Sequence, residues 1–180
     1  MRLFRLEHGE TAYRVDFAFY ASTILALTVY LIATSAPEQY ATLAGLVLAG
    51  FFGWTLLEYL LHRFVLHGVQ PFHRWHLEHH GRQSALICTP TALSAGLVAS
   101  LCFLPALLLS NLWAACALTL GLLTGYFGYA LTHHAVHHWI ANGQWLRRRK
   151  QWHAAHHHTG ELRRFGVTNE FWDRIFRTAR

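Results

Sequence analysis

A chain of 180 residues has room for one domain, and with 53% hydrophobic against 13% charged residues it is too apolar for an ordinary water-soluble one. The formal net charge of +6 comes largely from the C-terminal segment, where no nucleic-acid-binding fold or stacking platform accompanies the basic run, so anionic membrane lipids fit it better than nucleic acid. Cys88, Cys102 and Cys116 form no Cys-x-x-Cys and lie in or beside apolar stretches, which argues against a disulfide framework and for small core residues.

In chain order, Glu7, Glu10 and Asp16 interrupt the N-terminal segment and no small-residue cleavage site follows the first apolar run, so the segment is expected to stay in the mature protein. Four apolar stretches approach bilayer length: Phe17 to Thr34, Ala41 to Leu61, Thr91 to Ser110 and Trp113 to Leu131. About 20 apolar residues of helix span a hydrocarbon core, and Glu58 is the one charged residue inside these four. Two hairpins of this length have no soluble partner to bury them. The expected fold class is all-α: an integral membrane protein with four transmembrane helices in two hairpins and a histidine-rich helical cap, forming one domain over residues 1–180. Arg2, Arg5 and Arg14 precede the first helix, Arg63, Arg74 and Arg82 follow the second, and Arg147, Arg148, Arg149 and Lys150 follow the fourth. The turns Ser35 to Tyr40 and Ser110-Asn111 carry no Lys or Arg. The positive-inside rule then puts both termini and the cap in the cytoplasm, at the inner membrane if the cell is bacterial.

Of the 15 histidines, all but His8 lie between His62 and His158, in clusters with metal-ligand spacing. After the second apolar stretch come His62 and His67, then His76, His79 and His80. The fourth stretch runs into His133, His134, His137 and His138, and the tail carries His153, His156 and His157. Residues three and four apart share one helix face, so the second and last clusters can each converge. The third offers two phases, His133 with His137 or His134 with His138. His62 and His67 are five apart, which a single straight face does not bring together; the helix is expected to end between them, ahead of Gly68. One pair from the third cluster with the eight others makes ten ligands, too many for a closed four-ligand structural zinc and suited to two ions at five each. Imidazole accepts zinc, copper, iron and nickel, so ligand type does not name the metal. His73 and His158 remain over, beside ligands. Glu58, one turn before His62, is placed to accept the other N–H of that imidazole, and Asp173 and Glu78 are further candidates for such support.

The segment Glu58-Tyr-Leu-Leu-His-Arg-Phe-Val-Leu-His67 resembles the first histidine box of the fatty acid hydroxylase and sterol desaturase superfamily. His76-Leu-Glu-His-His80 is similar to its second box, Thr132-His-His-Ala-Val-His137 to its third and His153-Ala-Ala-His-His157 to its fourth. Phe165-Gly-Val-Thr-Asn-Glu-Phe-Trp-Asp173 resembles the closing signature. The third-box resemblance selects His133 and His137, which completes the set His62, His67, His76, His79, His80, His133, His137, His153, His156 and His157. The first box and the tail look closest to the branch that 2-hydroxylates fatty acids or their sphingolipid amides. Members of that branch commonly place an acid after the tyrosine before the third box, where this chain has Ala130 after Tyr129.

The resemblance implies a membrane oxidoreductase with two iron ions, zinc being an alternative occupant on isolation, that uses O2 to hydroxylate or desaturate a lipid substrate. Zinc has no redox chemistry, so C–H oxidation calls for iron. The chain shows no haem-attachment motif, iron–sulfur cysteine set or Gly-x-Gly-x-x-Gly turn, which implies an external electron-transfer protein. Arg147 to Lys150 would dock an acidic carrier or, more simply, contact headgroups. Trp54, Tyr126, Tyr129 and Trp172 are candidates to line the substrate or anchor the chain at the interface. Rival readings are a carotenoid ring hydroxylase, a sterol-type desaturase and a non-catalytic metal-binding membrane scaffold.

Overall fold

The computed structural model describes residues 7, 9–87, 89–158 and 163–180; Arg2, Arg5 and Cys88 of the sequence analysis lie outside the described residues. Among the described residues there is no strand, and the helices in order are α1 (Glu10–Thr34), α2 (Tyr40–Leu60), α3 (Phe72–Gly81), α4 (Thr91–Val98), α5 (Leu104–Leu109), α6 (Leu112–His138), α7 (Gln144–His158) and α8 (Phe171–Ile175). Four helical segments are long and apolar enough to cross a membrane: Glu10–Thr34, Pro37–Leu66, Thr91–Leu109 and Leu112–His138. Contacts divide the chain into two units, one of Met1–Trp54 with Leu86–Phe127 and one of Thr55–Ala85 with Gly128–Arg180.

In the first unit, α1 begins at Glu10 rather than Phe17, so Arg14 and Asp16 stand inside the helix rather than before it. Glu10 in the first turn opposes the positive end of the helix dipole and accepts from Arg14 at 2.6 Å, both exposed. Asp16 is buried and accepts from the Thr91 hydroxyl at 2.5 Å, which offsets part of the cost of burying an acid. The third apolar stretch is broken by a π-helical turn, Ala99–Phe103, between α4 and α5. Pro105 lacks an N–H and its ring crowds the carbonyl four residues back, so the ladder widens ahead of it.

The core of this unit gathers Leu31, Leu43, Cys116, Ala117 and Leu120, and α2 meets α6 at glycines. A methyl on Gly50 would collide with the Leu118 carbonyl, and one on Gly121 with the Val47 carbonyl, so the backbones touch directly, as small residues allow between membrane helices. Gly121→Val is therefore expected to lower stability by about 1–3 kcal/mol or more, read as loss of monodisperse protein on heating in detergent. Outward-facing positions are apolar: Leu108 and Leu109 are 83% and 87% exposed, a surface suited to lipid rather than water.

The second unit holds the end of α2, a π-helical turn over Leu61–Leu66, α3, the end of α6, α7 and the tail with α8. Every histidine of the four clusters belongs to it.

Candidate metal centre

The helical run stops at Leu66, between His62 and His67 as expected, but not as a plain α-helix: α2 passes into a π-helical turn, Leu61–Leu66, whose wider pitch helps bring residues five apart onto one face, and the two rings stack at 5.2 Å. The i, i+3, i+4 clusters do not each converge on one point as their spacing suggested: α3 sends His76 and His80 to one group and His79 to another, and α7 divides His156 from His153 in the same way. His76, His79 and His80 point from α3, His133 and His137 from the last turns of α6, and His153, His156 and His157 from α7.

Two groups of ring nitrogens result. In one, the ligand atoms of His62, His67, His76, His80 and His156 all lie within 4.8 Å of one another; in the other, those of His79, His133, His137 and His153 do. His157 joins neither group by that measure, but its Nε2 stands 3.0 Å from that of His153 while its ring stacks on His80 at 4.1 Å. His134 and His138 stack on each other at 4.6 Å, and His138 and His158 are exposed. His73 stands in neither group.

The nitrogens face one another in a way that suits cations. Nε2–Nε2 separations are 2.9 Å for His62 and His76, 3.0 Å for His76 and His80, and 3.1 Å for His67 and His156. In the second group they are 3.0 Å for His79 and His133 and 2.9 Å for His137 and His153. Two nitrogens bound at right angles to one ion, each at about 2.1 Å, stand about 3.0 Å apart. The Nδ1 of His62 donates to the Phe165 carbonyl at 2.5 Å, so its Nε2 must offer a bare lone pair to the group. His156 does likewise, donating Nδ1–H to the Arg163 carbonyl at 2.7 Å.

Burial keeps the rings neutral, as ligands must be. Burial first, and neighbouring imidazoles second, hold His67 and His79 at about 3, His80 at about 4 and His157 at about 2. His76 and His153 are pushed far below the usual imidazole range, again chiefly by burial.

Glu58 supports His62 by a different route from the direct bond expected of it. The imidazole N–H goes to Phe165, and the buried Glu58 carboxylate accepts from the Val167 and Thr168 amides at 2.8 and 2.9 Å and the Thr168 hydroxyl at 2.6 Å. Asp173, wholly buried, accepts from the Phe165 and Gly166 amides at 2.9 and 2.8 Å and from the Thr178 hydroxyl at 2.7 Å. Burial raises the Asp173 carboxyl above its usual range against the pull of these donors. Four successive amides are thus held by two carboxylates, and the carbonyl between them holds His62. A methyl on Gly166 would meet the Asn169 carbonyl and the Asp173 carboxylate, so glycine alone fits the turn. Glu78 stands apart, exposed and 3.5 Å from Arg82.

The basic run is less available than its sequence implies. Glu170 accepts from Arg148 at 2.6 Å, buried Arg149 at 2.5 Å and Arg174 at 2.8 Å, which leaves Arg147 and Lys150 for outside partners. Glu170 was not among the candidates, although an acid in so basic a tail, one of three there, was a usable signal of charge pairing. Of the aromatic candidates, Tyr129 stacks on His133 at 5.8 Å, and Trp172 donates its indole N–H to Thr55 at 3.0 Å. Trp54 and Tyr126 pack edge-on against each other at 5.1 Å in the first unit.

The family model described as fatty acid hydroxylase matches residues 47–178. A dihydroceramide fatty acyl 2-hydroxylase of Arabidopsis thaliana is 34% identical, over 74% of this chain and 60% of its own. A ceramide very long chain fatty acid hydroxylase of Schizosaccharomyces pombe is 32% identical over 72% of this chain and 40% of its own. Human fatty acid 2-hydroxylase is 31% identical over 74% and 39%. The chain thus spans 60% or less of the length of these relatives. Among solved structures, full-length scs7p, in which only the hydroxylase domain is visible, superposes with a TM-score of 0.80 at 27% identity over 93% of this chain and 66% of that one. A matched region that takes in every histidine of both groups, together with the tail that braces them, places this chain in the fatty acid hydroxylase family.

Proposed function

We propose that residues 1–180 work as one membrane-embedded oxidoreductase domain that hydroxylates a lipid acyl chain at carbon 2, on a fatty acid or a sphingolipid-type amide. The observation that carries the reading is the pair of convergent imidazole groups, in a chain whose relatives are named as fatty acid 2-hydroxylases and ceramide hydroxylases. Two metal ions fit the donors: His62, His67, His76, His80 and His156 would hold one, and His79, His133, His137, His153 and His157 the other. Iron, when bound, supplies the redox chemistry with O2 that zinc lacks.

The protein's own part is to hold neutral rings in place and to present one C–H bond. Carbonyl bonds to Nδ1 fix the ring orientation and tautomer of His62 and His156. Tyr129 packs flat against His133, limiting the rotation of that ring. Choice among similar methylenes must come from position, because fixing one carbon near the centre converts a random encounter into an oriented one. Both termini and the histidine-bearing unit are assigned to the cytoplasmic side. Arg63, Arg74, Arg82, Arg147 and Lys150 flank that unit, and the turns at Ser35 to Tyr40 and Ser110-Asn111 lack basic residues. An external electron-transfer protein would meet the enzyme there.

The test is expression in a host that makes both ordinary lipids and carotenoids, followed by analysis of both pools by mass spectrometry. New 2-hydroxy acyl chains, absent with an empty vector, are the expected result. New hydroxylated carotenoids with unchanged acyl chains would overturn the reading in favour of a ring hydroxylase. Two unchanged pools from folded, metal-loaded protein supplied with reductant would leave a non-catalytic scaffold.

A further inference from the structure

The two imidazole groups differ in what stands behind them. Behind the five-histidine group, the Phe165 and Arg163 carbonyls take the Nδ1–H of His62 and His156. The Phe165 carbonyl is in turn fixed by Asp173 and Glu58, which hold the amides of residues 165–168. Both carboxylates are buried, and neither pairs with Lys or Arg among the described residues. Behind the other group there is no such frame. Among the described residues, none of His79, His133, His137, His153 or His157 donates an Nδ1–H to a protein acceptor. The Nδ1 atoms of His79 and His157 are buried without a partner.

These differences act on metal affinity in the same direction. An acceptor on the far nitrogen raises a ligand's basicity and holds its lone pair on target, and loss of such support costs about 10–100-fold in affinity. An ion held by imidazoles alone brings its full charge into a buried place, and a buried carboxylate nearby offsets it. Both buried carboxylates serve the same group. Its partner position has neither the carbonyl braces nor the charge.

We infer that the two metal positions are unequal: the position formed by His62, His67, His76, His80 and His156, backed by Glu58 and Asp173 as positioning residues, binds its ion tightly, and the position formed by His79, His133, His137, His153 and His157 is the exchangeable one. The inference deepens the two-ion reading of this centre and rests on it. Loading is then ordered. The braced position fills first at limiting metal, and the identity of the ion at the second follows the metal available last.

The test uses full-length protein loaded with zinc in mild detergent, titrated with a competing chelator, with zinc per chain read by elemental analysis. Wild type should carry two ions and release one at a chelator strength at least 10-fold below that needed for the other. Asp173→Asn should bring the tight ion down by about 10–100-fold and leave the loose one unmoved, a selectivity that general unfolding would not give. His137→Ala should keep one tightly held ion and His62→Ala one loosely held ion, and this pair decides the matter should Asp173→Asn fail to fold. Two wild-type ions leaving together would overturn the inference and spare the two-ion reading, as would a tight ion surviving in His62→Ala. Fewer than two ions in folded wild type would overturn both.

Discussion

His137→Ala should abolish product formation and lower bound metal, while His138→Ala should leave both close to wild type. The two residues are chain neighbours of the same type, so composition and local hydropathy cannot separate them; only direction does. His137 puts its Nε2 2.9 Å from that of His153, inside the second group. His138 is exposed and stacks toward His134, outside both groups. Losing one imidazole from the less braced position removes a ligand and leaves its facing nitrogens without a common cation. If C–H oxidation needs both ions, the rate should drop below detection, and metal per chain should fall toward one. The measurement is paired: 2-hydroxy acyl product from cells, and elemental analysis of the purified variants. Retained product and full metal in His137→Ala, with loss of both in His138→Ala, would mean that the third cluster works one residue out of phase.

How much of this centre was legible in the sequence follows from how local each feature is. The apolar stretches and the helical placement of the i, i+3, i+4 clusters are set by short-range geometry and are found, but a three-residue cluster on one face cannot show that its members divide between two groups, as His79 parts from His76 and His80 and His156 from His153. The π-helical turn at Leu61–Leu66 was not foreseen, because a five-residue gap is equally compatible with a plain α-helix that ends. The brace was the least visible part. Its acceptors on His62 and His156 are backbone carbonyls of Phe165 and Arg163, and a carbonyl carries no residue identity to read. Glu58 stood out as an acid at membrane depth, yet its partners lie more than a hundred residues away, at Val167 and Thr168. Sequence proximity to His62 therefore suggested the wrong bond for the right residue. The basic run misled for the same reason, since its counter-charge, Glu170, lies beyond α7.

That counter-charge yields the second large effect. Glu170→Gln is expected to destabilise the second unit by about 3–5 kcal/mol, because it removes the carboxylate charge bonded to the buried Arg149 guanidinium. Arg148→Ala and Arg174→Ala should cost far less, since both side chains are mostly exposed and water replaces the lost bond. The consequence reaches the metal centre through α7, which carries Arg149 one turn before His153 and is tied by it to the tail that precedes α8. The pH dependence gives an independent check. Burial pushes the Glu170 carboxyl up, but bonds from Arg148 and Arg174 and the Arg149 charge outweigh it and hold the group at about 2, below its ordinary 4.5. A depressed folded-state value means stability that is fully present above the ordinary carboxylate range and lost as pH falls from about 4.5 toward 2. Histidines held at about 2 to 4 add an acid-labile term that starts higher, near the ordinary imidazole value of 6.5. Comparing wild type with Glu170→Gln removes that shared term. The stability gap between them, from thermal unfolding in detergent, should be constant above about pH 5 and close as the pH falls below the ordinary carboxylate value. A gap that keeps its full size down to pH 3 would show that Glu170 acts by shape and hydrogen bonding rather than by its charge.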